Sequence, residues 1–237
     1  MTTLLVFARC AGFAFRAPGF SHPSVTPPVR AALAAVLALA LAPATHSVVP
    51  RLDGIAVPAV LVTEFLLGAA IGMAASIVYD GAYAGGRAVD DYVGVKAIAP
   101  SLQLVAPSGF GRVWSLAYTG GFFLSGAYRI TILGFAQSFV RIAPGAAVDA
   151  HAWAGFAASL AMTIVSVALI VAAPAIGLAF VVQIALGALS RAVPRFGSFM
   201  LAFPLAFAAA LVATVLAVPS LSQQALAPVA AIPPAAP

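Results

Sequence analysis

HAWAGFAASLAMTIVSVALIVAAPAIGLAFVVQIALGALS (residues 151–190) contains no Asp, Glu, Lys or Arg. A membrane-spanning helix needs about 20 apolar residues. This stretch is about twice that long, so it predicts two helices. Pro174 and Gly177 lie near its middle. A proline removes a backbone donor and clashes with the preceding turn. The expectation is a helical hairpin, or a strongly kinked pair, broken at Pro174–Gly177.

The remainder of the chain points to the same class. Of 237 residues, 63% are hydrophobic and 7% charged, where a soluble domain has about 45–50% and about 25%. So little polar surface cannot solvate a globule of this size. The apolar runs are continuous and lack the short alternation of barrel strands. The prediction is an all-α integral membrane protein with six or seven apolar helices, including hairpins and kinked segments, over residues 1–218. The Pro/Ala-rich tail 219–237 is expected to stay flexible. The net charge of +5 is spread singly along the chain, which argues against a nucleic-acid partner. The lone Cys10 excludes an intrachain disulfide and any CxxC site.

Outward from 151–190, RAVPR (191–195) is a basic connection, and a last helix with Pro204 inside it runs from about 196 to 218. Upstream, 112–144 is one apolar run ended by Pro144 and Gly145. Further runs cover 57–79, 28–43 and 3–20, the last of which is expected to be retained as a first helix rather than cleaved as a signal peptide. Charges inside these runs need an account, because a charge at the membrane centre costs roughly 2.5–3.5 kcal/mol. Arg9 and Arg16 are seven residues apart and share a helix face. Glu64 shares a face with the GxxxG pair Gly68 and Gly72, a helix-packing pattern. Pairing Glu64 with Arg9 would satisfy both buried charges. Arg129, near the centre of the 112–144 run, is a third expected buried charge.

Polarity is concentrated between Asp80 and Arg112. Residues 80–96 predict a short polar helix. Within it, the adjacent Asp90 and Asp91 make a weak metal site, because they point about 100° apart. A solvated face with Arg87 is the favoured reading. Residues 97–111 are broken by Pro100 and Pro107 and loosened by glycines, yet carry Leu102, Leu104, Val105 and Phe110. A long apolar loop has a task or a partner.

Catalytic patterns are absent from the sequence. There is no HExxH, no P-loop and no GxGxxG, and His22, His46 and His151 fall in connecting segments. No enzyme activity or cofactor is expected. A secondary transporter or small-solute channel is the rival class, since such proteins use broken helices and buried charges.

Several strings recur in a recognisable order: LLVFARCAGFAFRAP (4–18), EFLLGAAIG (64–72), AGGRAVDDYVG (84–94) and GALSRAVPRFGSF (187–199), followed by Pro204. The series resembles the FliR/SctT family of flagellar and type III secretion export-apparatus membrane proteins. Its motif positions here are Gly187, Ser190, Arg191, Pro194, Phe199 and Pro204. The resemblance implies a single-copy subunit of an export gate in the bacterial inner membrane, within the secretion-system basal body. The implied partners are FliP/SctR-type and FliQ/SctS-type membrane subunits, FlhB/SctU-type and FlhA/SctV-type export proteins, the lipid bilayer and unfolded polypeptides in transit. It also implies a plug at about 97–111, with Pro100, Leu102, Leu104, Val105, Pro107 and Phe110 as candidates. Apolar side chains there would seal a narrow pore by excluding water. FFLSGAYRITILGFAQSFVRIAP (122–144) lacks paired histidines and favours the injectisome branch.

Overall fold

The computed structural model describes residues 1–21, 25–44, 56–93, 109–124, 126–192 and 199–222. All regular structure among them is helical. The seven α-helices are α1 (Thr2–Arg16), α2 (Pro27–Leu41), α3 (Ala56–Val93), α4 (Gly109–Leu124), α5 (Ala127–Arg141), α6 (Ala150–Ala192) and α7 (Phe199–Ser222). A single 3₁₀ turn, Ala42–Ala44, follows α2. Two of the helices, α3 and α6, are long and apolar enough to cross a membrane.

Local chemistry sets several boundaries. Pro27 and Pro28 open α2, where a missing N–H costs nothing. Asp149 starts α6, its carboxylate accepting the His151 N–H at 2.9 Å. Gly126, at φ 75°, separates α4 from α5, a conformation that favours glycine.

Three expectations are corrected. Residues 151–190 form neither a hairpin nor two helices. They lie in one 43-residue helix with Pro174 inside it, about 65 Å long at the usual rise per residue. A proline withdraws one hydrogen bond, whereas a turn in so apolar a stretch would strand several backbone groups. Val171 and Ala175, on either side of the proline, are both buried in one hydrophobic cluster. Residues 80–93 are not a separate polar helix but the second half of α3. Arg129 is not buried. The break at Gly126 places it in the first turn of α5, exposed, with its Nε donating to the Tyr128 hydroxyl at 3.2 Å.

The chain divides into two compact units, each assembled from separated segments. The described part of the first comprises residues 1–77 and 119–162, and that of the second 78–118 and 163–222. Thus α3, α4 and α6 each contribute to both.

In the first unit, α2 packs on α1 through the buried Ala34 and Ala38. The aromatic core stacks Phe13 of α1 on Phe135 of α5, with ring centroids 4.2 Å apart. Between α1 and α3, glycines set the spacing. A Cβ on Gly68 would overlap the Arg9 carbonyl, and one on Gly12 would overlap the Phe65 carbonyl. One on Gly72 would stand 2.8 Å from the Phe13 carbonyl oxygen. The two backbones touch because a glycine of one helix stands at each point of contact.

The core of the second unit is made of small residues from α3, α6 and α7, among them Ala82, Ala175, Ala179 and Ala210, closed by Phe110 and Trp114 of α4.

Substitution of these glycines tests the packing. Gly68→Ala is expected to lower the thermal stability of the detergent-purified chain by about 1–3 kcal/mol, as overpacking does. Gly187→Ala, where a Cβ meets nothing within 4 Å, is expected to leave stability unchanged or raise it by up to about 1 kcal/mol through helix propensity. Equal melting of the two variants would contradict the close α1–α3 crossing.

Candidate functional site

The first polar node grows out of the glycine crossing. Arg9 lies on the buried stripe of α1 with Leu5 and Phe13, and Glu64 lies on α3 one turn before Gly68. Because α1 can approach α3 so closely, the two side chains meet. Arg9 Nε donates to Glu64 Oε2 at 2.6 Å and Nη2 donates to Oε1 at 3.1 Å. Their exposures are 0% and 2%, so neither charge has water as an alternative partner.

The pair is bonded on its other edges as well. Arg9 Nη1 donates to the carbonyls of Ser138 and Ile142 at 3.2 and 2.9 Å. Ser138 is in the last turn of α5, where its carbonyl also accepts the Ile142 N–H at 2.9 Å, and Ile142 follows the helix directly. The guanidinium also stacks over the Phe139 ring, 4.5 Å from its centroid. Gly145, at φ 80°, donates its N–H to Glu64 Oε1 at 2.8 Å. A buried ion pair is tolerated only when its remaining donors and acceptors are bonded in this way. The node fastens α1, α3, the end of α5 and the following turn to one another.

The second node lies in the other unit and was not visible in the sequence. Asp90 is 1% exposed, while its neighbour Asp91 is exposed. The expected solvated face therefore holds for Asp91 and fails for Asp90, because successive helix positions point about 100° apart. The Asp90 carboxylate accepts the backbone N–H groups of Phe110 at 2.8 Å and Gly111 at 3.3 Å. These open α4, where N–H groups lack helical partners and the helix dipole favours a negative charge. Gly86, one turn before Asp90, lets the backbones close up. A Cβ there would stand 2.6 Å from the Gly111 nitrogen.

The remaining sequence candidates are dispersed. Pro100, Leu102, Leu104, Val105, Pro107 and Pro194 lie outside the described residues. Phe110 is described. It is 2% exposed, in the first turn of α4, with its ring 4.8 Å from that of Phe207. Gly187, Ser190 and Arg191 end α6, where the Ser190 hydroxyl donates to the Gly187 carbonyl at 2.9 Å. Phe199 begins α7, and Pro204 is exposed on it. Among the described residues no group of His, Cys, Asp and Glu is placed to hold a metal ion. Sequence reading missed Asp90 and Gly145 because each acts through a backbone group far along the chain.

The first node makes a quantitative prediction. Arg9→Met and Glu64→Gln each leave a buried partner unpaired, so each is expected to cost about 3–5 kcal/mol. The double variant is expected to cost clearly less than the sum, measured as thermal stability of the purified chain in mild detergent. Strict additivity would contradict the pairing.

No curated protein matches the chain. The family model described as Bacterial export proteins, family 1, matches residues 1–230, nearly its whole length. The chain belongs to this family, the FliR/SctT family of flagellar and type III secretion export proteins.

Proposed function

We propose that the chain is a single-copy subunit of the type III protein export gate in the bacterial inner membrane. In this reading it helps line the channel through which unfolded proteins are secreted, and residues 97–108 seal that channel at rest. The observation that carries the reading is the family match over residues 1–230. Family membership is consistent with a role in the export apparatus, and proteins of this family are non-catalytic membrane subunits. The family together with the two long apolar helices supports a multi-span inner-membrane protein.

The described polar groups fit the reading. A transporter keeps charged groups available for a solute at midplane. Here Arg9 and Glu64 bind each other and the neighbouring backbone, and Asp90 is turned onto α4. The partners proposed are the FliP/SctR-type and FliQ/SctS-type subunits of the gate, with FlhB/SctU-type and FlhA/SctV-type proteins beside them. The injectisome branch is favoured by the 122–144 stretch.

The sealing side chains proposed are Leu102, Leu104 and Val105, between Pro100 and Pro107. Phe110 is assigned a different part, as the anchor packed on Phe207. Deletion of 100–107, which spares that anchor, is expected to leave assembly intact and to raise entry of a small membrane-impermeant dye several-fold. Normal assembly with unchanged dye entry would remove the sealing role.

A further inference from the structure

The end of α3 and the start of α4 flank residues 94–108 in the sequence. The two described ends meet within the second unit. Asp90, one turn before the last residue of α3, accepts both Phe110 and Gly111 N–H groups. Gly86 brings the α3 backbone against Gly111. Phe110 and Trp114, each 2% exposed, continue the contact into the hydrophobic cluster beside Val89 and Val93. Thus the chain leaves α3 and re-enters α4 at one place.

Packing alone does not call for an acid there. Position 90 is buried between Val89 and Val93 in the same helix, and an apolar side chain would avoid the cost of burying a carboxylate. The carboxylate does what an apolar group cannot. Accepting two successive N–H groups fixes both the position and the rotation of α4's first turn, through charge-assisted bonds strengthened by the helix dipole.

We propose that Asp90 is a positioning residue, whose carboxylate locks the start of α4 to the end of α3 so that the two ends form one fixed joint. The inference rests on the sealing role given to residues 97–108 under Proposed function. Under it, the joint between α3 and α4 stays closed during export. Phe110, Gly111 and Gly86 belong to the frame.

The test uses the full chain in its assembled complex in membrane vesicles. Leu104→Cys serves as a reporter for a membrane-impermeant maleimide, with the native Cys10 left in place because it is fully buried. Asp90→Leu is expected to change the labelling rate at position 104 by about tenfold or more, the size expected for losing hydrogen bonds to a buried charge. Asp90→Asn, which keeps an acceptor for one N–H, is expected to fall between wild type and Asp90→Leu. Val171→Ala loosens the same cluster without touching α4's backbone donors and is expected to leave labelling unchanged.

Wild-type labelling in Asp90→Leu overturns the proposal. So does a change in Val171→Ala as large as that in Asp90→Asn, since loosened packing alone would then suffice. If Asp90→Leu fails to assemble, Asp90→Asn decides, and wild-type labelling in it overturns the proposal. The sealing role fails separately. Altered labelling in Asp90→Asn, with dye entry unmoved by deletion of 100–107, keeps the joint and removes the seal.

Discussion

The first unit rests on one buried contact, Arg9 against Glu64. A chain this apolar has almost no means of hydrating an internal charge, so an acid and a base inside it must find each other. Their meeting depends on something smaller. Without Gly12 and Gly68 at the crossing, α1 and α3 would stand too far apart for a bidentate pair. Once formed, the pair takes up the Ser138 and Ile142 carbonyls at the end of α5 and the N–H of Gly145. Backbone proximity, charge pairing and helix capping are thus consecutive steps of one arrangement. Apolar replacements of buried pairs are often neutral for stability. The contribution specific to this pair is the register of α1, α3 and α5.

Helix α3 repeats the device along its length. Gly68 and Gly72 face α1 in the first unit. In the second unit, Cβ atoms on Gly81 and Gly85 would each come within 2.6 Å of α6, at Val167 and the Ala168 carbonyl. Gly86 faces α4. Two of these faces lie one turn from a buried acid that bonds the same neighbour, Gly68 beside Glu64 and Gly86 beside Asp90. Small residues bring the backbones together, and an acid one turn away then fixes the neighbour by hydrogen bonds. In a medium where apolar side chains gain little by meeting one another, such contacts are what distinguish a specific helix partner from lipid.

The sequence made some of this legible and concealed the rest for definable reasons. The all-helical membrane class follows from composition alone. The Arg9–Glu64 contact could be inferred because two unlike charges in apolar runs leave few other solutions. The continuity of α6 could not, since the effect of Pro174 depends on whether the flanking turns have somewhere to bury themselves, and Val171 and Ala175 do. Arg129 was misplaced because 112–144 reads as one apolar run whose glycines suggest no more than a kink or a close contact, whereas Gly126 divides it into two helices. Asp90 was hidden by its partner's nature. A carboxylate that serves backbone N–H groups 20 and 21 residues away leaves no complementary side chain to find. Gly12 lacked a second glycine at GxxxG spacing, so it carried no motif.

The three buried charges among the described residues, Arg9, Glu64 and Asp90, are turned onto the chain's own backbone or onto each other, while the outward surface of α6 carries Met162, Leu169 and Val181 with more than half their surface exposed. That distribution suits a subunit whose interior polarity serves assembly geometry rather than solute binding. It agrees with membership of the export family. The most direct test of the gate assignment is native mass measurement of the complex purified in mild detergent through a tag on this chain. The account predicts one copy of the chain together with several copies of two smaller hydrophobic subunits. A lone chain or a homodimer would contradict it.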